Sequence, residues 1–99
     1  MLIHELHDGA QRLLALEGRL DSDSAPALEA AIARALAGAP SVLRIRMEAV
    51  EYLSSAGLRE LVRGEKLAGA KSARLGVVQA SARVRSVLKV AGLSHLLLD

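Results

Sequence analysis

The sequence predicts an α/β fold in which a mixed sheet carries helices on one face, in the order ββαβαβα with a possible short final strand. Three observations predict this class. Apolar residues alternate with polar ones near the N-terminus and again in residues 41–47, whereas three later segments have apolar residues at helical spacing. After a first hairpin, helices alternate with strands, which implies parallel crossovers. We expect residues 1–99 to form a single domain.

The first two strands are predicted at residues 2–6 and 11–17, because the Asp-Gly pair between them is typical of a tight hairpin turn. Residues 18–24 are then expected to form a loop rich in helix-capping side chains. Pro26 is compatible with the first turn of the helix that follows, because N–H groups there have no helical partner. Gly38 predicts the end of this helix.

The third strand is predicted at residues 41–47 and near the middle of the sheet. One of its faces is apolar, formed by Leu43, Ile45 and Met47. Arg44 and Arg46 lie on the opposite face, which therefore needs water, as in a sheet covered on one side only. These arginines could form a binding stripe, but a solvated sheet face explains them more simply.

A second helix is predicted to begin at Ser54-Ser55, with an apolar face on which Leu61 and Val62 are buried. Residues 72–78 form a further predicted strand. A third helix capped by Ser81 follows, and residues 96–98 could add the short final strand.

The composition excludes several classes of protein. Of the 99 residues, 52% are hydrophobic and 24% are charged, which is typical of a folded globular chain. The net charge of +2 is too small to indicate nucleic-acid binding. There is no cysteine, so disulfides and thiolate metal sites are excluded. No segment has the pattern of a signal peptide or of a membrane span, so we expect a cytoplasmic protein without membrane contact.

Enzymatic function has little support in the sequence. The string L-S-S-A-G lacks the first glycine of the G-x-S-x-G motif of serine hydrolases, and a catalytic base would have to be His4, His7 or His95. His4 and His7 would face opposite ways on one strand, so they do not form a metal site. Phosphate-binding glycine motifs are absent. We therefore expect no catalytic residues, no metal and no cofactor.

The segment "EAVEYLSSAGLREL" places two serines where a strand gives way to a helix. One hydroxyl is enough to cap a helix, and Ser54 is the better candidate for the cap. Ser55 would then be free and exposed at the positive end of the helix dipole. A phosphate there would meet unpaired N–H groups and add almost two negative charges. This arrangement permits a phosphorylation switch without requiring one.

The same residues resemble a known family. "YLSSAGLREL" resembles the signature of STAS domains, which are shared by anti-sigma factor antagonists and the cytoplasmic part of sulfate transporters. "LEGRLDSDSAPALEAAI" resembles the Gly-x-Leu-Asp loop and first helix of that family, and "ASARVRSVLKVAGLSHLL" resembles its closing segment. The resemblance therefore extends over nearly the whole chain, and it implies a mixed sheet with helices on one side.

The resemblance also implies a function. Free-standing members switch partners: the unphosphorylated form binds an anti-sigma factor that is also a serine kinase, and this binding releases the sigma factor. The kinase phosphorylates the serine two places before the motif glycine, here Ser55, and a serine phosphatase removes the phosphate. The family's loop aspartate corresponds to Asp21. The other residues expected in the switch and partner-binding loop are Ser54, Ala56, Gly57 and Leu58.

Two departures and one alternative accompany this resemblance. The residue before the phosphorylated serine is often Asp in the family and is Ser54 here, and a further C-terminal helix that many members have is not present in residues 1–99. The alternative is a STAS subunit of a lipid-transport ABC complex. Such subunits tend to carry Thr at the motif position, so Ser55 favours the regulator.

Overall fold

The computed structural model describes residues 1–99 and confirms the element order. The elements are β1 (Leu2–Asp8), β2 (Gln11–Leu20), α1 (Ala25–Ala37), β3 (Val42–Leu53), α2 (Ser55–Ala70), β4 (Arg74–Val78) and α3 (Ala82–Val90). A 3₁₀ turn at Ser94–Leu96 follows. The final strand is reduced to a single parallel bridge between Leu97 and Val77. None of the helices combines the length and the apolar character needed to cross a bilayer.

The four strands form one mixed sheet in the order β1-β2-β3-β4. β1 and β2 are antiparallel, and the β2–β3 and β3–β4 pairs are parallel. The loop between β1 and β2 has two residues, of which Gly9 has a φ of +61° and Ala10 has no positive φ. This pattern fits a type II′ turn, whose twist matches that of the two strands.

The helices cover one face of the sheet, as predicted. Leu43, Ile45 and Met47 of β3 are fully buried and belong to the same hydrophobic cluster as the buried residues of all three helices. On the opposite face, Arg44 and Arg46 are only half-buried. The arginines of β3 therefore lie on the face without helices.

Two strands are longer than the sequence predicted. β2 continues through Gly18 to Leu20, and β3 continues past Met47 to Leu53. Their pairing contains two register shifts, one between Ala15 and Glu17 and one between Gly18 and Arg19. Such shifts break the two-residue alternation that identifies a strand, so these extensions were not recognised in the sequence.

The packing face of α2 also differs from the prediction. Leu61 is fully buried, but Val62 is only half-buried. The face of α2 that packs against the core consists mainly of small residues: besides Leu61, its buried apolar positions are Gly57, Gly64 and Ala68. A methyl group on Gly64 would lie 2.9 Å from Cδ1 of Ile32. Glycine at this position thus allows α2 to approach α1 closely.

Candidate functional site

Two loops meet at one end of the sheet. Leu20 and Leu53 are paired at the ends of β2 and β3, and the backbone N–H of Ser54 donates to the carbonyl oxygen of Leu20 at 2.9 Å. Asp21 directly follows Leu20, and the Ser54-Ser55 pair directly follows Leu53. The pairing thus places the aspartate loop and the serine pair side by side at the carboxyl ends of two parallel strands.

The two serines have different environments. Ser54 is half-buried with an extended backbone (φ −93°, ψ 174°), and its Oγ accepts the N–H of Gly57 at 3.3 Å. Ser54 is therefore the helix cap. Ser55 is the exposed first residue of α2, and its hydroxyl takes part in no hydrogen bond. The free hydroxyl of Ser55 therefore lies at the positive end of the α2 dipole.

We expect Ser54→Ala to reduce the free energy of unfolding by about 1 kcal/mol, because Gly57 would lose its N–H acceptor. Ser55→Ala removes no hydrogen bond and should leave stability within about 0.5 kcal/mol of the wild type. Urea denaturation of the two variants measures the difference. Equal losses would show that the cap is shared between the two serines.

Gly57 has a steric role in this site. An added Cβ would lie 2.7 Å from Cγ of Leu20 and 2.9 Å from Cδ1 of Leu53. It would also lie 3.0 Å from the carbonyl oxygen of Leu20, a backbone atom that cannot rotate away. The first turn of α2 therefore rests directly on the ends of β2 and β3, and glycine is needed for that approach. Ala56 and Leu58 beside it are both half-buried.

Gly57→Ala should destabilise the fold by about 1–3 kcal/mol, because the methyl group overpacks the contact with Leu20 and Leu53. Gly69→Ala in the same helix is the matched control, since an added Cβ there meets nothing within 4 Å. The control should be neutral or stabilising by up to about 1 kcal/mol, as expected for alanine in a helix. Thermal or urea unfolding compares the two, and a neutral Gly57→Ala would disprove the close approach.

Asp21 organises its own loop. Its Oδ1 accepts the backbone N–H of Asp23 at 3.0 Å and that of Ser24 at 3.2 Å, and it also contacts the hydroxyl of Ser24 at 3.3 Å. Arg19 lies 3.7 Å from its other carboxylate oxygen. The hydrogen bond from the Ser24 backbone is the main cause that lowers the pKa of Asp21 below the ordinary value, and the charge of Arg19 contributes less.

Asp21→Asn should leave most of the stability intact, because the amide oxygen can still accept the N–H groups of Asp23 and Ser24. The loss that remains reflects the charge of Asp21, whose folded-state pKa is lowered. That contribution is present above the ordinary pKa of aspartate and disappears as the pH falls through the lowered value. Urea denaturation of wild type and variant should therefore differ slightly at neutral pH and converge in acid. A difference that grows in acid would contradict this account.

Sequence reasoning missed a pair of residues beside the serines. The guanidinium of Arg19 lies over the ring of Tyr52, with Cζ 4.2 Å from the ring centre. The two residues are register partners on β2 and β3, beyond the strand ends that the sequence predicted. Arg19 thus joins Tyr52 to Asp21. No local signal could have identified the pair, because it depends on the two register shifts.

An open cleft of about 530 Å³ adjoins the aspartate loop. Its lining residues are Met1, Gly18, Arg19, Asp21, Asp23, Ser24, Ala27 and Glu51. Three of these residues carry carboxylates and one carries a guanidinium, so the cleft is acidic.

The histidines are not brought to the serines. His4 Nε2 lies 2.6 Å from Glu17, and His95 Nε2 lies 3.1 Å from Glu65. His7 lies on β1, at the edge of the sheet far from β3. Neither Ser54 nor Ser55 is hydrogen-bonded to a base, so the arrangement contains no Ser-His pair that could act as a nucleophile.

The family model described as "Mlab, STAS domain" matches residues 3–99 of this chain. The anti-sigma-F factor antagonist RsfB of Mycobacterium tuberculosis is 36% identical over 87 residues, a match that covers 88% of this chain and 70% of RsfB. This chain is a STAS domain of the anti-sigma factor antagonist family. The resemblance of "YLSSAGLREL" to the family signature is thereby confirmed.

Solved structures give the same result for the fold. An anti-sigma factor antagonist from Mycobacterium paratuberculosis superposes with a TM-score of 0.85 at 30% identity, over 98% of this STAS domain and 82% of that chain. The anti-sigma factor antagonist SpoIIAA in its unphosphorylated form superposes with a TM-score of 0.86 at 20% identity, over 99% and 87% of the two chains. The mixed sheet with helices on one face is therefore the STAS fold.

Proposed function

We propose that this STAS domain is an anti-sigma factor antagonist that acts as a partner switch controlled by phosphorylation of Ser55. In this proposal the unphosphorylated form binds an anti-sigma factor that is also a serine kinase, and the bound sigma factor is released. The observation that carries the proposal is the exposed Ser55 hydroxyl, which is free because Ser54 supplies the helix cap. The role is one of binding, without catalysis by this chain.

The local structure explains how a phosphate could act as a switch. Ser55 and Ala56 are in the first turn of α2, where backbone N–H groups have no helical acceptor. A phosphate on Ser55 would be stabilised there in the free protein, so modification need not unfold the domain. In a complex, the same dianion would be covered at the end of the sheet where the Asp21 loop lies beside the serine pair. A partner that fits the neutral serine would then have to bury an uncompensated charge.

The phosphorylation step is tested with the cognate kinase. Incubation of the protein with that kinase and ATP, followed by mass spectrometry of the segment 50–59, should locate one phosphate on Ser55. The Ser55→Ala variant should remain unmodified, and a serine phosphatase should restore the original mass. Phosphate on Ser54, or no phosphate with a kinase that is active on another substrate, would reject the assignment.

The binding step is tested separately. The unphosphorylated protein should displace a sigma factor from the anti-sigma factor in a competition assay, whereas the phosphorylated protein should not. Displacement by both forms would support antagonism and reject the switch. Because the proposed partner uses ATP and frees a sigma factor, the proposed place of action is the cytoplasm.

A second candidate is a STAS subunit of a lipid-transport ABC complex. One observation favours it: the matching family model is described by Mlab and the STAS domain, without reference to sigma factors. Ser55 at the motif position favours the regulator instead. Purification of the tagged protein from its native host separates the two candidates, since an ATPase subunit of a transporter would co-purify in the second case and an anti-sigma factor in the first.

A further inference from the structure

β1 forms an open edge of the sheet. It pairs with β2 on one side only, whereas the outer edge of β4 is partly occupied by the bridge to Leu97 and a hydrogen bond from Leu98 to Val77. Six of the seven residues of β1 are exposed, and Leu6 keeps 50% of its surface in contact with water. An exposed edge strand presents unpaired N–H and C=O groups that can pair with another strand.

The hairpin turn determines which backbone groups face outward. In a two-residue loop the flanking residues, Asp8 and Gln11, form a hydrogen-bonded pair. Hydrogen-bonded and non-hydrogen-bonded pairs then alternate along the ladder, so Leu6 bonds to β2 while Glu5 and His7 do not. The N–H and C=O groups of Glu5 and His7 therefore point away from β2 and are available to a partner strand.

The side chains of β1 are complementary to an antiparallel copy of themselves. Residues 4–8 read His-Glu-Leu-His-Asp. If two copies pair about Leu6, Glu5 lies opposite His7 of the second copy, and His4 lies opposite Asp8. Each of these contacts occurs twice because of the two-fold symmetry. A histidine ring can donate one N–H to a carboxylate in either protonation state, so a pair whose histidine has no other carboxylate partner does not require the charged ring.

From this pattern we infer that the chain forms a homodimer through antiparallel pairing of β1 with β1 of a second copy, centred on Leu6. The two four-stranded sheets would join into one continuous sheet. The two Glu5–His7 pairs would be the hydrogen-bonded ones and would contribute about four backbone hydrogen bonds. The inference does not depend on the proposed switch.

Neighbouring side chains are compatible with this pairing. Leu6 lies beside Leu13 of β2, so the two copies would bring four leucine side chains together at the centre of the interface. His4 already contacts Glu17 through Nε2, so an N–H on Nδ1 for Asp8 of the second copy is present only when both ring nitrogens carry a proton. Glu5 is paired with Arg34 at 3.0 Å, and its carboxylate oxygens have further acceptor positions for His7.

Other registers are less favourable. Pairing centred on Glu5 would place its carboxylate opposite that of the second copy, and centring on His4 or His7 would place two histidines opposite each other. Among these registers, only pairing about Leu6 places each histidine of residues 4–8 opposite a carboxylate of the second copy. The interface also leaves the switch end free, because β1 is separated from β3 and Ser55 by the whole width of β2.

Sedimentation equilibrium across a range of concentrations tests the dimer. Because each subunit contributes a single strand, we expect a dissociation constant on the order of 10 µM. Leu6→Lys places two like charges at the two-fold centre and should raise this constant by at least about 10-fold. Val90→Lys is the matched control, because Val90 is 87% exposed on α3 and away from β1, and it should leave dimerisation unchanged.

Cysteine cross-linking tests the register, and the absence of native cysteine makes it specific. Opposed residues of a non-hydrogen-bonded pair lie close enough for a disulfide. Under mild oxidation the Leu6→Cys variant should therefore form a covalent dimer rapidly. The Glu5→Cys and His7→Cys variants should do so slowly, because position 5 lies opposite position 7 of the second copy and the two identical cysteines are not opposed. A wild-type protein that is monomeric at about 1 mM would overturn the inference.

Two further outcomes would also overturn it. If the Glu5→Cys or His7→Cys variant cross-linked fastest, the two strands would pair about that residue, in a register that the charge pattern disfavours. A monomeric protein in which Leu6→Lys weakens binding to the anti-sigma factor would assign the β1 edge to a strand of that partner. Circular dichroism of each variant would confirm that the fold is retained in these comparisons.

Discussion

Ser55→Asp should weaken binding to the cognate anti-sigma factor by at least about 100-fold, while Ser55→Ala should bind like the wild type. The reason is charge burial at the interface. A complex that detects Ser55 must cover the start of α2, and a carboxylate there would lose its water without gaining a matching donor from the partner. A penalty of about 3 kcal/mol is enough for the predicted change. Isothermal titration calorimetry of the two variants gives the comparison.

The stability of the Ser55→Asp variant separates this explanation from misfolding. An acidic residue in the first turn of a helix interacts favourably with the helix dipole, so the variant should melt no earlier than the wild type. Ser54→Ala is the complementary control, because it weakens the cap and should leave partner affinity unchanged. If Ser55→Asp bound with wild-type affinity, Ser55 would lie outside the interface and the proposed switch would be rejected.

Leu61→Ala should reduce the free energy of unfolding by about 2–5 kcal/mol. Leu61 is fully buried in the cluster that joins α2 to the sheet, and its truncation leaves a cavity that the surrounding side chains fill only in part. Since small proteins have total stabilities of about 5–15 kcal/mol, this loss would leave much of the population unfolded under mild denaturing conditions.

Val62→Ala is the matched control for this second prediction. Val62 is adjacent in the helix but only half-buried, so its truncation should cost less than about 1.5 kcal/mol. Urea denaturation followed by circular dichroism measures both variants. Equal losses at the two positions would contradict the orientation of α2 in the structure.

The element order could be predicted because β3 alternates strictly over Leu43, Ile45 and Met47 and the helices follow period 3.6. The strand extensions could not, because β2 and β3 pair through register shifts that disturb this alternation. Gly18 lies inside β2 with a φ of +107°. In the sequence, a glycine inside a strand cannot be distinguished from a glycine in a loop.

The packing face of α2 could not be predicted for a related reason. Hydrophobic periodicity is defined by large apolar side chains, and it predicts that Val62 lies on the buried face. The true packing face contains Gly57 and Gly64, which have no side chain to mark it. It also contains Glu60, a buried carboxylate that is stabilised by Arg63 at 2.9 Å. A charged residue on the inner face is rarely inferred from sequence, because its partner must be known first.

The site itself could be located from the sequence because it depends on local chemistry. A serine that caps a helix leaves its neighbour unbonded, and Asp21 follows the strand that pairs with β3. The contact of Arg19 with Tyr52 depends on tertiary pairing, and only the structure shows it. The motif thus pointed to the serine pair and Asp21, and the fold was needed to identify their neighbours.

Tyr52 is also the only aromatic residue of the chain, which contains no tryptophan and no phenylalanine. It lies three positions before Ser55, and the Arg19 guanidinium covers its ring. All intrinsic fluorescence of the protein therefore originates close to the serine pair. Phosphorylation or partner docking that moves Arg19 would change the surroundings of this single fluorophore, so the unlabelled protein contains its own optical reporter for the proposed switch.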